Sequence, residues 1–355
     1  METQPARYRE IEVAGEPKEL GQQIGEALRE EIRGFSEAAM ESVHRTVQIP
    51  KDRAIAIARE STQFAKDYAP HMVDEIQGMA DGSGVSFDDL MLLQVRNQFV
   101  PEGESGCTSF SIAKAVCAEG RAVVGQNWDN DPALDAFTVV LTRRPAGRPA
   151  FISITQAGLI AYIGFNDAGI GACLNTLPAP SRPVGVPHYF TLRGIYEAKH
   201  LAEAVAAVER VERAIPANIM LTTAQGPVDL EVTIDCVQVL RDTGDGLVTH
   251  TNHCLHPELA KFNDEFPELI QSKPRLGRIR QQLTPEGGQI TIEAMKTSLC
   301  DHQDYPRSIC RHANDHPYHG FWETVFSVIM VPSAGEMHVS RGPPCSQPYA
   351  TYRLH

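Results

Sequence analysis

The chain has 355 residues, 42% hydrophobic and 22% charged, enough for a large core in one domain or two tightly joined ones. Its formal net charge of −13 argues against nucleic acid or an anionic membrane as the main partner. The polar start Met1-Glu2-Thr3-Gln4-Pro5 lacks a signal-peptide core, no apolar run reaches the length of a membrane span, and Arg353-Leu354-His355 is not a peroxisomal tripeptide. A cytoplasmic protein is the expectation, and the eight cysteines, none of them in C-x-x-C, then read as reduced thiols, mostly buried.

The first hundred residues read as helices. Apolar residues recur at helical spacing from Lys18 to Met40 and again from Arg53 to Tyr68. A shorter helix, Met72 to Met79, stops at Asp81-Gly82-Ser83-Gly84, where glycine permits a left-handed cap. Ser86-Phe87-Asp88-Asp89 opens the next one. At Cys107 the texture changes to short β-branched and aromatic runs: Thr108–Ala113, Ala122–Trp128, Phe137–Thr142, Ala150–Thr155, Leu159–Phe165 and Gly169–Leu174. Helices are predicted at Tyr189–Lys199 and Leu201–Arg213, and strands at Ile219–Ala224, Leu230–Ile234, Val237–Leu240 and Leu247–Thr251. Two more helices, Arg275–Leu283 and Ile292–Leu299, precede the strands Thr324–Val331 and Glu336–Ser340. Strand clusters between helical groups predict a layered α+β domain, with the helical first third packed on the rest.

The residues that carry chemistry lie at Gly106-Cys107-Thr108, at Gln126-Asn127-Trp128-Asp129, and at His250-Thr251-Asn252-His253-Cys254. A thiol that attacks the preceding glycine carbonyl, followed by an N→S acyl shift and hydrolysis, would free an α-amino group on Cys107. That amine titrates at about 7.7–8.0, so near neutral pH it accepts the proton of its own thiol. Gly106 lets the backbone distort there. Cys107 is expected to begin a strand at the edge of a sheet. Taken alone, a Gly-Cys pair is an ordinary structural feature. Asp129, at the end of an apolar strand, suits a carboxylate that holds a terminal ammonium, or else an Asx turn into Asn130-Asp131-Pro132. Asn252 suits an N–H donor to a developing oxyanion. The His250–His256 run, with three imidazoles and a thiol, reads alternatively as a metal or ligand site. Arg311, in Ser308-Ile309-Cys310-Arg311 before the His-rich turn 312–319, suits a carboxylate partner or a surface ion pair.

In this order these segments resemble the acyl-coenzyme A:6-aminopenicillanate acyltransferase family, also called isopenicillin N acyltransferases or C45 cysteine peptidases. Further segments join the match: Gly164-Phe165-Asn166-Asp167-Ala168-Gly169, Arg182-Pro183-Val184-Gly185-Val186-Pro187, and Tyr305-Pro306. The resemblance implies an N-terminal-nucleophile (Ntn) hydrolase fold, an αββα sandwich of two antiparallel sheets between helical layers. It also implies autocatalytic cleavage between Gly106 and Cys107. An α chain of residues 1–106 and a β chain of 107–355 would stay together as one integrated domain. It puts the nucleophile on Cys107, its carboxylate partner on Asp129, the oxyanion amide on Asn252 and the active-site arginine on Arg311. The sequence beyond Arg311 departs from the penicillin-making members, which bears on the substrate rather than the chemistry.

The expectation is therefore an autoproteolytic N-terminal-cysteine amidohydrolase or acyltransferase, working through an acyl thioester on small N-acyl amides or on acyl-CoA plus an amine. No cofactor or metal is expected, and acyl-CoA would enter only as a substrate. The competing reading is a metal- or ligand-binding protein that uses the His250–His256 cluster and is not an Ntn enzyme.

Overall fold

The computed structural model describes residues 7–42, 49–99, 106–265, 271–284, 288–315 and 320–355. The chain begins with β1 (Glu10–Gly15), followed by α1 (Pro17–Ala27), α2 (Arg29–Ser42), α3 (Lys51–Tyr68), α4 (Pro70–Ser83) and α5 (Phe87–Val95). A run of strands comes next: β2 (Gly106–Ile112), β3 (Val123–Asn130), β4 (Thr138–Pro145), β5 (Phe151–Gln156), β6 (Ile163–Asn166) and β7 (Gly171–Asn175). Then come α6 (His188–Tyr196), α7 (Leu201–Glu209), β8 (Ala217–Thr223), β9 (Gly226–Val232), β10 (Val237–Arg241) and β11 (Leu247–His250). The last elements are α8 (Phe262–Glu265), α9 (Ser272–Leu283), α10 (Ile292–Leu299), β12 (Glu323–Val331), β13 (Glu336–Arg341) and β14 (Tyr349–Arg353).

The strands form two sheets, in the orders β1-β4-β5-β6-β7-β8-β9-β10 and β11-β2-β3-β12-β13-β14. Among the described strands, only the β1–β4 pair is parallel. Because side chains alternate across a strand, an inner strand serves two cores. Val124 and Trp128 of β3 join the large core with the first sheet and the N-terminal helices. Phe110, Ile112 and Val123 face the other way, onto Ile279, Leu283, Met295 and Leu299 of α9 and α10. The result is the four-layer αββα sandwich implied by the resemblance, with α1–α7 outside the eight-stranded sheet and α9 and α10 outside the six-stranded one.

Several local features depart from the sequence reading. The periodic stretch from Lys18 to Met40 is two helices, because the chain turns at Leu28 (φ −115°) without interrupting the apolar period. The helix read as Met72–Met79 runs from Pro70 to Ser83 and is capped by Gly84 at φ 74°. Ser86 caps α5 as expected, its hydroxyl accepting from the Asp89 N–H at 3.1 Å. Leu201–Arg213 is helical only to Glu209. The strand read from Leu159 starts at Ile163, since side chains hold the backbone before it: Gln94 donates to the Gly158 carbonyl and accepts from the Ile160 N–H. β1 and β14 went unread. Both are short strands that end their sheets, with few consecutive buried positions.

α1 and α4 pack backbone to backbone. A Cβ on Gly21 would run into the Glu75 carbonyl, and one on Gly78 into the Lys18 carbonyl. From the same helix Glu75 reaches across to Arg143 Nε of β4 at 2.8 Å and Arg193 Nη1 of α6 at 2.9 Å, all three side chains being buried. Among the described residues, no helix is long and apolar enough to cross a membrane.

Candidate active site

β2 lies between β11 and β3, so it is an inner strand and not the sheet edge expected for Cys107. The expectation fails because the chain returns much later, at β11, to cover that side. Cys107 nevertheless sits where this cover stops: β11 pairs with β2 from Leu247↔Ile112 to His250↔Ser109, and Asn252 takes over beyond it. The Cys107 N–H donates to Asn252 Oδ1 at 2.9 Å rather than to a strand carbonyl.

Alternation then sorts the side chains. Phe110 and Ile112 face the helical layer, so Cys107, Ser109 and Ser111 face the other sheet; Ser109 Oγ accepts from Asn175 Nδ2 of β7 at 2.8 Å. Cys107 pairs with Trp128 and is 1% exposed. Burial, with the Asp129 charge adding to it, pushes its thiol up to about 12, against the pull of Arg275. In the unbroken chain this thiol is therefore protonated at neutral pH.

Gly106 pairs with Asp129 on the helical side of the strand. A Cβ there would lie 2.8 Å from Asp129 Oδ2 and 3.2 Å from Arg311 Nε, so the position has room only for glycine. Asp129 is fully buried. Its Oδ1 accepts from Thr324 Oγ1 at 2.7 Å, while Oδ2 lies 3.4 Å from Arg311 Nε and has no hydrogen bond among the described residues. Burial raises the carboxyl from 3.8 to about 6, although Arg311 and Arg275 draw it down. Thr324 also accepts from the Arg311 N–H at 2.9 Å, so one hydroxyl positions both members of the pair.

The orientation of Asn252 follows from its neighbours. The Cys107 N–H and Arg275 Nη2 are donors only, so Oδ1 faces them, at 2.9 and 2.8 Å. Nδ2 donates to the Thr176 carbonyl at 3.1 Å and to Thr176 Oγ1 at 3.0 Å. Arg275 also donates from Nη1 to the Cys107 carbonyl at 2.6 Å and to Thr108 Oγ1 at 2.8 Å. The sequence reading placed Arg275 at the start of a helix and gave it no role. Thr176 and Thr324 were missed as well. Nothing in a single sequence marks them, because chain segments far apart bring them to Cys107.

Cys107, Asp129, Asn252 and Arg311 are thus brought together, whereas the His250–His256 run does not converge. His250 Nε2 lies 2.9 Å from Glu231 Oε1 and His253 Nδ1 lies 2.7 Å from Ser272 Oγ, while Glu231 also accepts from the Leu255 and His256 N–H groups. Despite burial, Asp229 and Glu231 hold the His250 imidazole above its ordinary value, whereas burial pushes His253 down to about 4. Among the described residues, the His and Cys side chains that do converge are His302, Cys310, His312 and Cys345, on either side of Arg311.

The αββα architecture is the one that the resemblance implied. A sequence profile of the family described as acyl-coenzyme A:6-aminopenicillanic acid acyl-transferase matches residues 116–344. The acyl-coenzyme A:6-aminopenicillanic-acid-acyltransferase 40 kDa form of Emericella nidulans is 31% identical over 323 residues, covering 89% of this chain and 87% of the relative. The chain belongs to that acyltransferase family. Among solved structures, it is similar to a mutant form of conjugated bile acid hydrolase from Clostridium perfringens, with a TM-score of 0.44 and 12% identity over 70% of this chain and 97% of that one. It is also similar to penicillin V acylase from Agrobacterium tumefaciens, with a TM-score of 0.45 and 11% identity over 70% of this chain and 86% of that one.

Proposed function

We propose that this chain is an amidohydrolase or acyltransferase that activates itself by cleaving the Gly106–Cys107 bond. The Cys107 thiol attacks the Gly106 carbonyl, the acyl group moves from nitrogen to sulfur, and water hydrolyses the thioester to leave a Gly106 carboxylate and a free Cys107 amine. That amine then takes the proton of the Cys107 thiol, which attacks a substrate acyl carbonyl. The leaving amine or thiol departs with a proton, and an acyl thioester remains on Cys107. Water or an amine takes the acyl group and restores the thiol. The name of the Emericella nidulans relative pairs acyl-coenzyme A with 6-aminopenicillanic acid, an amine, which supports the transfer branch. The shared thioester makes hydrolysis of small N-acyl amides the other branch.

The observation that carries this reading is the junction itself. The Cys107 nitrogen already rests on Asn252 Oδ1, and a buried Asp129 oxygen, 3.4 Å from Arg311 Nε, faces Gly106 beside it. A new ammonium at Cys107 would find acceptors on both sides. Arg275, held between the Cys107 carbonyl and Asn252, keeps those groups in register. Asn252 Nδ2, which donates to the Thr176 carbonyl and hydroxyl, would exchange one of these bonds for the oxyanion.

The test is mass spectrometry of enzyme quenched after mixing with an acyl donor. The fragment starting at Cys107 should gain one acyl group, and iodoacetamide should abolish both the adduct and turnover. Full turnover after complete alkylation of Cys107 would end the covalent mechanism.

A further inference from the structure

We infer that His302, Cys310, His312 and Cys345 form a structural site of two thiolates and two imidazoles for a tetrahedral divalent metal, zinc by its chemistry, which clamps the Arg311 segment to the β13–β14 connection. The site is separate from the thioester chemistry above and would stand if that chemistry failed.

The geometry is the first support. One ligand atom from each of the four residues lies within 4.8 Å of every other. His312 Nε2 is 3.1 Å from His302 Nε2, 3.6 Å from Cys310 Sγ and 3.5 Å from Cys345 Sγ. A tetrahedral zinc ion with Zn–N of about 2.0–2.1 Å and Zn–S of about 2.3 Å separates its ligands by about 3.3 Å (N to N), about 3.6 Å (N to S) and about 3.8 Å (S to S). The three distances at His312 match these values to within a few tenths of an ångström.

Hydrogen bonding alone does not account for the cluster. A neutral imidazole Nε2 is either one donor or one acceptor, yet three polar atoms crowd this one nitrogen. A cation among the four atoms satisfies all of them at once. Two thiolates would neutralise its double charge, and two neutral imidazoles would complete the set, a combination of sulfur and nitrogen ligands that selects zinc among divalent ions. Two thiol protons leave as the metal binds.

The ligands come from separate parts of the chain. His302, Cys310 and His312 follow α10, whereas Cys345 lies between β13 and β14. The segment is fixed from behind as well: the Cys310 N–H donates to the Asp301 carbonyl and the His312 N–H to the Pro306 carbonyl, each at 3.0 Å. The Tyr305 ring lies against both imidazoles, with centroids 5.8 Å from His302 and 5.3 Å from His312. Outside helices, alternate residues point to opposite sides, and Cys310 and His312 flank Arg311, whose Nε lies 3.4 Å from Asp129 Oδ2. The metal would therefore fix the backbone on both sides of Arg311. The sequence concealed this site because its fourth ligand, Cys345, stands 33 residues beyond His312.

The experiment is metal analysis of the full-length protein, expressed with added zinc and purified without chelator, together with Co2+ titration of the reduced, metal-free protein. The expected result is about one zinc per chain, and visible d–d and thiolate charge-transfer bands typical of tetrahedral Co2+. Cys345→Ser and His302→Gln change exposed ligands and should weaken Co2+ binding at least about 10-fold while circular dichroism stays unchanged, whereas His256→Gln should bind metal like the parent. Substoichiometric zinc with no Co2+ bands in the folded parent would overturn the inference, and that readout needs no variant. So would a Cys310–Cys345 disulfide, seen as the loss of two hydrogens in protein prepared without reductant. Loss of metal from His256→Gln with retention in Cys345→Ser would overturn it too, moving the site to the other cluster.

Discussion

Burial holds the Cys107 thiol protonated in the unbroken chain, so its attack on the Gly106 carbonyl must release that proton as the C–S bond forms. The neighbours of Cys107 are arranged for the amine that cleavage would release. Cys107→Ala should therefore remain a single chain on a denaturing gel, and Cys107→Ser should cut slowly, since a hydroxyl is the weaker nucleophile. Rapid cutting of the alanine variant would show that the thiol plays no part. Asn252 separates two roles. Asn252→Ala should lower kcat of processed enzyme by about 10²–10³-fold with a much smaller change in KM. Asn252→Asp keeps an acceptor for the Cys107 nitrogen and Arg275 but loses the N–H donors, so a comparable fall in kcat would assign the loss to the oxyanion. Near-parental kcat in the aspartate variant would assign it to holding the amine instead.

Asp129 carries a linkage signature. A carboxyl raised from 3.8 to about 6 binds its proton more tightly folded than unfolded. Its contribution to stability is thus full below about pH 4 and is lost as pH rises through about 6. The ionised form costs on the order of 3 kcal/mol at neutral pH. In the uncut Cys107→Ala background, Asp129→Asn should raise Tm at about pH 7.5 and leave it unchanged near pH 4. An equal shift at both pH values would contradict this assignment, whereas the expected result would mark a stability cost retained for function.

Among the elements, the close α1–α4 pair sets a steric limit. Gly78→Ala places a methyl against the Lys18 carbonyl, so the helices must separate; a loss of about 1–3 kcal/mol by urea unfolding is expected, and no loss would contradict the backbone contact. Elements with one buried face, such as α3 and the shorter α10, were legible because that burial leaves a period in the sequence. The αββα layering came from the resemblance, and the two sheets bear it out. β1 was illegible, since an edge strand with few buried positions carries little alternation. The same limit applied at the site. Gly106, Cys107 and Asp129 announced themselves through motif and texture, whereas Arg275 and Thr324 act only through contacts between segments distant in sequence.

For the molecule as a whole, the two halves are built as one body. β1, from before Gly106, pairs with β4, and Glu75 forms buried ion pairs with Arg143 and Arg193 from after it. Cleaved halves should therefore co-purify under native conditions and separate only in denaturant. Glu75→Ala leaves the buried Arg143 guanidinium without its carboxylate and Arg193 with Glu197 alone, and should destabilise the protein by about 3–5 kcal/mol in chemical unfolding. Wild-type stability in that variant would mean that the triad does not hold the halves together.

The central claim is that the chain cuts itself at a single bond. Intact-mass analysis with N-terminal sequencing of the freshly purified wild-type protein tests it most directly. The account expects two polypeptides, the larger beginning Cys107-Thr108-Ser109, and a Cys107→Ala control that gives one. A fully active protein that remains a single chain of 355 residues would contradict it.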